Sequence, residues 1–243
     1  ARTLKKLWQV TKSDILIHAL PIFHTHGLFV ALNTALLAGT EVAFLPKFEI
    51  TEIIEAIRAS TLLMGVPTFY TRLLADERLT VHLAKNMRLF ISGSAPLLAE
   101  THEEFTRRTG HYILERYGMT ETNMITSNPY NGERRPGTVG KPLPDVEIQI
   151  NDSQTGRENA DGEIGMIEVR GPNVFKGYWN MPDKTALELK ENGFFITGDL
   201  GKLSSDGYLS IVGREKDLII TGGYNVYPKE IEDVLNELEK IDE

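Results

Sequence analysis

Residues 51–66 read TEIIEAIRASTLLMGV, a helical pattern followed directly by the pattern of a buried strand. In the predicted helix, residues 51–60, the isoleucines share one face, whereas residues 61–66 form a short apolar run. A strand that is apolar on both sides is covered on both faces of its sheet. The segment therefore predicts one unit of a layered α/β fold.

The same alternation extends to both sides of this unit. Short apolar runs predict four further strands, at residues 14–20, 40–45, 87–92 and 112–114. A second helix is predicted over residues 98–108, where Gly110 can end it. Alternating strands and helices indicate a mostly parallel sheet with flanking helices, and ligands bind beyond the carboxyl ends of such strands.

The pattern changes near residue 140. Short strands separated by Gly, Asp and Asn turns are predicted at residues 146–150, 164–170, 194–197 and 208–212. This spacing is typical of antiparallel β structure. We therefore expect an α/β subdomain over residues 1–140, an antiparallel β-barrel-like subdomain over 141–212, and a hinge with the start of a small C-terminal domain over 213–243.

The composition excludes several classes of protein. Of the 243 residues, 41% are hydrophobic and 25% charged, which is ordinary for a globular domain. A formal net charge of -8 disfavours nucleic acid as a partner, and the lack of cysteine rules out disulfides and Cys-based zinc sites. Because the sequence has no apolar run of membrane-spanning length, we expect a cytoplasmic protein, with an organellar matrix as the alternative.

Two loops carry residues suited to nucleotide chemistry. Thr120 and Glu121 suit a phosphate oxygen and Mg²⁺, although a turn with a helix cap is the commoner explanation of that segment taken alone. The small residues Ser94 and Ala95 let a flat ring approach the backbone, and Tyr117 can cover its other face, although a plain turn has the same composition.

A third candidate is Asp199, which follows the apolar run 194–197. Its carboxylate suits the two hydroxyls of a ribose, and the commoner alternative is an aspartate in a turn beside glycine.

Four motifs occur in a specific order: YGMTE at 117–121, GEIGMIEVRG at 162–171, ITGDL at 196–200 and GREKDLIITGGYNVYPKEIE at 213–232. Together they resemble the adenylate-forming superfamily of acyl-CoA synthetases, amino-acid adenylation domains and firefly-type luciferases. The resemblance implies an enzyme that joins a carboxylic acid to ATP as an acyl-AMP and passes the acyl group to the thiol of coenzyme A.

By the same resemblance, Ser94, Ala95 and Tyr117 enclose adenine, Thr120 binds the α-phosphate and Glu121 holds Mg²⁺. The remaining assignments are Asp199 and Arg214 for the ribose hydroxyls, His24 between the acyl pocket and the thiol entrance, Lys216 at the interdomain hinge, and Gly222 with Gly223 in the loop on the coenzyme A side. For His24 the alternative is a histidine of the core.

Two segments of the superfamily do not occur in this sequence. The Ser/Thr/Gly-rich phosphate loop should precede residue 1, and a late lysine that contacts the acyl carboxylate should follow Glu243. We therefore expect the chain to be a piece of a longer enzyme, with slow adenylation on its own. A non-catalytic nucleotide-binding fragment is the alternative from a different functional class.

The identity of the acid depends on two arginines. Arg116 precedes Tyr-Gly, where a side chain reaches the acyl pocket in this superfamily, and Arg72 follows another predicted strand end. Two arginines suit the far carboxylate of a small dicarboxylic acid. PIFHTHGLF, GVPTFYTRLL and ERYGMTETN resemble the synthetases that activate malonate, and often methylmalonate. The alternatives are a solvated Arg72, an Arg116 paired with a protein carboxylate, or another short or medium-chain acid.

Overall fold

The computed structural model describes residues 1–221 and 224–236, and the chain divides into two compact units, Ala1–Pro144 and a second that begins at Asp145. The predicted parallel α/β region and the predicted antiparallel region are both confirmed. The finer division into three parts at residues 140 and 212 stays a prediction. Within the described residues, no helix has the length and apolar character needed to cross a membrane.

The first unit is built on a seven-stranded sheet. Its strands are β1 Ile15–His18, β2 Glu41–Phe44, β3 Leu62–Gly65, β4 Leu89–Ser92, β5 Leu114–Tyr117, β6 Thr126–Ser127 and β7 Lys141–Pro142. Their order in the sheet is β2-β1-β3-β4-β5-β6-β7; pairing is parallel from β2 to β5 and antiparallel from β5 to β7. The carboxyl ends of β3, β4 and β5 therefore meet at one edge of the sheet.

Helices connect these strands. They are α1 Arg2–Leu7, α2 Asn33–Ala38, α3 Ile50–Ile57, α4 Pro67–Leu74 and α5 Ala99–Thr109, with a π-helical segment at His26–Leu32 and a 3-10 helix at Leu83–Asn86. Both helices predicted from the sequence are present. Helix α5 ends at Gly110, which adopts the left-handed conformation at φ 76° that a residue with a Cβ atom rarely takes.

The strand predicted at residues 112–114 is displaced in the structure. Tyr112 is 56% exposed, whereas Glu115 and Arg116 are buried inside β5. The strand prediction relied on continuous apolar residues and so missed both positions, because it assigns charged side chains to the surface. Glu115 tolerates burial because its Oε1 lies 3.1 Å from Nδ1 of the buried His102 on α5.

The second unit contains a four-stranded antiparallel sheet of order β11-β10-β9-β8. Its elements are β8 Glu147–Asn151, β9 Gly165–Arg170, α6 Pro182–Glu188, β10 Phe195–Leu203 and β11 Leu209–Arg214, followed by a 3-10 helix at Glu215–Asp217, β12 Ile219–Thr221, β13 Tyr224–Val226 and α7 Pro228–Asn236. Strand β10 is longer than the apolar run 194–197, so Asp199 lies within the strand rather than after it.

An ion pair fixes the start of the first unit's sheet. Asp14 is 4% exposed and accepts hydrogen bonds from Nε and Nη2 of Arg88 at 2.8 and 2.7 Å, from Oγ1 of Thr61 at 2.8 Å and from the amide of Thr11 at 2.8 Å. Burial alone raises the pKa of Asp14, but these hydrogen bonds outweigh it and leave the pKa lowered. The carboxylate therefore joins segments that precede β1, β3 and β4.

We expect Asp14→Asn to lower the free energy of unfolding at pH 7 by roughly 2 to 4 kcal/mol, because it leaves the partly buried Arg88 without its counter-ion. Urea denaturation measures this change. Glu104→Gln is the matched control, since Glu104 receives the same two-point contact from Arg107 on the exposed face of α5 and should change stability by about 0.5 kcal/mol or less. Equal losses in both variants would contradict the special role of Asp14.

Candidate active site

The loop after β4 places small residues at the carboxyl edge of the sheet. Gly93 donates its amide to the carbonyl of Gly65 at 3.3 Å, which links the ends of β4 and β3. Ser94 adopts φ 75°, a left-handed conformation that is costly for a residue with a side chain, and both Ser94 and Ala95 are exposed. The sequence prediction of an open, small-residue loop after this strand is confirmed, whereas its contact with adenine stays a prediction.

Arg116 lies directly against this loop. A Cβ atom added to Gly93 would fall 2.4 Å from Cζ of Arg116 and 2.6 Å from its Nε. A side chain at position 93 would therefore collide with the guanidinium group in its present position, and glycine leaves the space that Arg116 occupies.

Arg116 is a buried cation that forms no ion pair within residues 1–221 and 224–236. It is 4% exposed, and its Nε and Nη2 have no hydrogen-bond partner among the described residues. Burial lowers the pKa of Arg116 to about 10, and the nearby hydroxyl of Tyr70 opposes this shift. The group is still protonated at neutral pH. An unpaired buried charge costs several kcal/mol, so the site is suited to an anionic group that supplies the missing partner.

The alternative that Arg116 pairs with a protein carboxylate is not borne out within the described residues. Its neighbour in β5, Glu115, lies next to His102 of α5. Side chains of consecutive strand residues point to opposite faces of a sheet, so Glu115 and Arg116 are directed apart. The adjacent carboxylate in the sequence is therefore unsuited to neutralise the arginine.

The two histidines of PIFHTHGLF lie in different environments, and the predicted place of His24 between the acyl pocket and the thiol entrance stays a prediction. His24 is exposed, with its ring centroid 4.6 Å from that of Phe23, so the alternative of a core histidine is wrong for this residue. The buried histidine is His26, which is 6% exposed and whose Nδ1 lies 3.2 Å from Oγ of Ser94. The sequence analysis missed His26; its place in a HxHG motif was the available signal.

Burial is the main cause that lowers the pKa of His26 well below its usual range, followed by the charge of Arg116 and the proximity of His18. His18 in β1 is itself 1% exposed, and burial lowers its pKa as well. His26 is therefore a neutral imidazole at pH 7, close to the cation of Arg116 and bonded to the loop after β4.

Residues 118–125 form a tight turn between β5 and β6. A Cβ atom on Gly118 would lie 1.9 Å from the carbonyl oxygen of Asn123, so only glycine fits. Thr120 is exposed, and its Oγ1 lies 3.4 Å from Oγ1 of Thr25. No helix begins at this turn, so the helix-cap explanation of Thr120 and Glu121 is wrong. The turn follows β5, whose last residue, Tyr117, is 8% exposed.

Arg72 lies in a different environment from Arg116. It is exposed on α4, where its Cζ stands 4.4 Å above the ring of Phe48 and its charge acts on Glu49. This is the solvated helix position that the sequence analysis gave as an alternative. Its role toward a substrate carboxylate stays a prediction.

The second unit brings two of its predicted site residues together. Asp199 in β10 is paired in register with Arg214 in β11, and Oδ1 of Asp199 lies 2.8 Å from Nε of Arg214. The pairing of β10 with β9 shifts register between Ile196 and Leu200, and Gly198 within that stretch has φ 74°. Such a bulge redirects a side chain at the point where it occurs.

The other predicted site residues of the second unit are Lys216, Gly222 and Gly223. Lys216 is exposed in the 3-10 helix after β11, and its role as a hinge stays a prediction. Gly222 and Gly223 lie outside the described residues. Within residues 1–221 and 224–236, no group of three or more His, Asp or Glu side chains is arranged to hold a metal ion. Glu121 would therefore hold a Mg²⁺ ion only together with other ligands, such as the phosphate oxygens of a nucleotide.

The sheet, the loops at its carboxyl edge and Arg116, whose Nε and Nη2 are buried without a hydrogen-bond partner among the described residues, give an α/β protein with an edge suited to a small anionic ligand. Residues 1–179 match the family described as AMP-binding enzyme, and the chain belongs to that family.

Three known proteins illustrate the relationship. The chain is 41% identical to the malonate–CoA ligase of Arabidopsis thaliana over an alignment of 257 positions, which covers 97% of this chain and 42% of that protein. It is 39% identical to a long-chain-fatty-acid–CoA ligase of Bacillus subtilis (strain 168) over 226 residues, 92% and 40% of the respective chains. The crystal structure of ATP-bound MatB from Rhodopseudomonas palustris matches with a TM-score of 0.96 and 61% identity. The match covers 98% of this chain and 47% of that chain. The chain thus spans less than half the length of these proteins.

The lowered pKa of His26 predicts a pH dependence of stability. Between the folded-state pKa and about 6.5, the ordinary value, the unfolded chain binds a proton that the folded chain does not. The free energy of unfolding therefore decreases as the pH falls below about 6.5, and His26 is one cause of that decrease. We expect the fall in free energy of unfolding from pH 7.5 to pH 5 to be smaller in His26→Gln than in the parent protein, as measured by urea denaturation. Parallel pH curves for the two proteins would contradict a neutral, buried His26.

Proposed function

We propose that the chain is the acid- and nucleotide-binding part of an ATP-dependent acid–thiol ligase that activates malonate, with methylmalonate as the alternative acid. The observation that carries this proposal is the guanidinium of Arg116, which is buried and charged and whose Nε and Nη2 have no hydrogen-bond partner in the part of the chain that the structure describes. The distal carboxylate of a dicarboxylic acid supplies the missing counter-ion. The other carboxylate is then left to react.

Sequence identity alone does not select the acid, since relatives named for malonate and for long-chain fatty acids are almost equally similar to this chain. The environment of Arg116 supports a dicarboxylic acid. An alkyl tail placed beside Arg116 would leave the cation buried and unpaired, at a cost of several kcal/mol. A methyl group on the central carbon of malonate does not alter the distal carboxylate, so Arg116 accepts malonate and methylmalonate alike.

The proposed reaction has two steps. A carboxylate oxygen of the acid attacks the α-phosphorus of ATP, the bond to the β-phosphate breaks, and acyl-AMP and pyrophosphate result. The thiol of coenzyme A then attacks the acyl carbon, loses its proton and displaces AMP. Arg116 contributes to both steps by holding the unreactive end of the acid, which fixes the position of the reacting carboxylate.

The nucleotide would be held by the residues that follow β4 and β5. Ser94 and Ala95 leave room above the backbone for the flat adenine, and Tyr117 at the end of β5 supplies an aromatic wall. The exposed hydroxyl of Thr120 is suited to donate a hydrogen bond to the α-phosphate. Glu121 in the same turn fits a Mg²⁺ ion that is bound mainly by phosphate oxygens and water, and such an ion would neutralise charge on the phosphates.

The ribose would be bound by the ion pair of the second unit. Asp199 is held by Arg214, and its amide donates to Oγ1 of Thr197 at 3.0 Å, so the carboxylate has a fixed orientation. A fixed carboxylate accepts hydrogen bonds from two neighbouring hydroxyls at little entropic cost.

We expect Arg116→Met to reverse the choice of acid in the full-length protein that carries this segment. Methionine fills much of the volume but removes a charge-assisted contact, a loss of roughly 2 to 5 kcal/mol in transition-state binding. The value of kcat/KM for malonate should fall by about 30-fold to several thousand-fold, while that for butyrate changes far less or rises. Pyrophosphate release measured with each acid gives the ratio. A ratio that Arg116→Met does not change would overturn the proposal.

Arg72→Met tests the second predicted donor in the same assay. Because Arg72 is exposed and already contacts Phe48, we expect a fall of about tenfold or less in the malonate-to-butyrate ratio. A fall as large as that of Arg116→Met would show that the two arginines share the carboxylate equally.

Lys216→Pro tests the proposed hinge. Proline fixes φ and removes the amide donor, so the backbone at this exposed 3-10 helix could no longer change conformation between the two half-reactions. We expect pyrophosphate release to persist while thioester formation falls at least about tenfold. An equal loss in both half-reactions would contradict the hinge.

A further inference from the structure

His26 makes one hydrogen bond and leaves one nitrogen unused. Its Nδ1 lies 3.2 Å from Oγ of Ser94, whereas Nε2 is buried and has no hydrogen-bond partner among the described residues. A buried polar atom without a partner carries a desolvation penalty of about 1 to 3 kcal/mol. A ligand that accepted a hydrogen bond from Nε2 would remove this penalty.

The hydrogen bond to Ser94 acts on an unfavourable backbone conformation. Ser94 has φ 75° and is exposed, so packing around its side chain does little to hold it there. His26 comes from the π-helical segment 68 residues earlier in the sequence. The bond therefore ties the loop after β4 to a separate element of the fold.

His26 also lies close to the free cation of Arg116, whose charge is one of the causes of its lowered pKa. Because the imidazole is neutral, one of its nitrogens carries a proton and the other accepts. When the hydroxyl of Ser94 donates to Nδ1, the proton is on Nε2, and Nε2 becomes a hydrogen-bond donor. A neutral donor can stand beside Arg116 without the repulsion that an imidazolium would cause.

We propose that His26 is a specificity-determining residue of the acid site, which positions Ser94 through Nδ1 and donates from Nε2 to the carboxylate that Arg116 binds. This inference rests on the proposed function, because it takes a dicarboxylic acid as the ligand. It adds a second, uncharged donor to the same carboxylate, and it joins the acid site to the loop after β4.

Substitutions of His26 separate its two hydrogen bonds. Asparagine places an amide near the position of Nδ1 and removes the Nε2 donor. Glutamine reaches the position of Nε2 and keeps a donor there. Phenylalanine keeps the ring volume and removes both bonds.

His102→Gln is the matched control. His102 is also buried, bonds through Nδ1 and leaves Nε2 without a partner among the described residues, but it contacts Glu115, which points away from Arg116.

The experiment measures kcat and KM for malonate and for butyrate in the full-length protein that carries this segment, with the melting temperature of every variant. We expect His26→Asn and His26→Phe to raise KM for malonate by about 10- to 100-fold and to leave KM for butyrate within about threefold, since a hydrogen bond to a charged group is lost. His26→Gln should restore most of the malonate affinity. His102→Gln should lower the melting temperature without changing the ratio of the two KM values.

Four outcomes would overturn the inference. If His26→Asn and His26→Phe keep the parent KM for malonate while Arg116→Met loses it, the inference alone fails. If His26→Gln loses as much affinity as His26→Phe, or if His102→Gln shifts the KM ratio equally, His26 has only a structural role. A parent protein without preference for malonate would overturn the proposed function and this inference together.

Discussion

The buried charge of Arg116, which has no ion-pair partner among the residues that the structure describes, is the constraint on which the rest of the candidate site depends. A guanidinium at 4% exposure needs space, and Gly93 provides it because even a Cβ atom there would collide with Cζ. The cation also affects its neighbours, since it contributes to keeping His26 neutral. Gly93 after β4 and His26 in the π-helical segment are thus both affected by this one buried cation.

The two faces of strand β5 carry charged side chains in different environments. Glu115 and Arg116 are adjacent and both buried, yet Glu115 lies beside His102 whereas two nitrogens of Arg116 have no partner within the described residues. A mutual ion pair would neutralise both groups, but the alternation of side chains along a strand prevents it. The geometry of the strand therefore separates the cation from the adjacent carboxylate, at the expense of several kcal/mol of stability. The second unit uses the opposite arrangement, since Asp199 and Arg214 sit at paired positions of neighbouring strands and contact each other directly.

Much of the fold was predictable because it depends on local patterns. Continuous apolar runs located β1, β2, β3 and β4, and a glycine correctly marked the end of α5. The errors concern charged residues in strands. The strands predicted from continuous apolar residues end before Glu115 and before Asp199, although both residues lie inside strands. Apolar runs do not identify such residues, because the burial of a charged side chain depends on a partner that is distant in the sequence.

The sequence by itself determined the fold class, the order of the family motifs and the candidate residues, because spacing and residue type are local properties. Only the tertiary structure decided which of these residues share an environment. It placed His24 and Arg72 at the surface, and it brought His26 to Ser94 across 68 residues of sequence. It also left Arg116 without a partner among the described residues, because burial and hydrogen-bond partners arise only when strands and loops that are distant in the chain pack against one another.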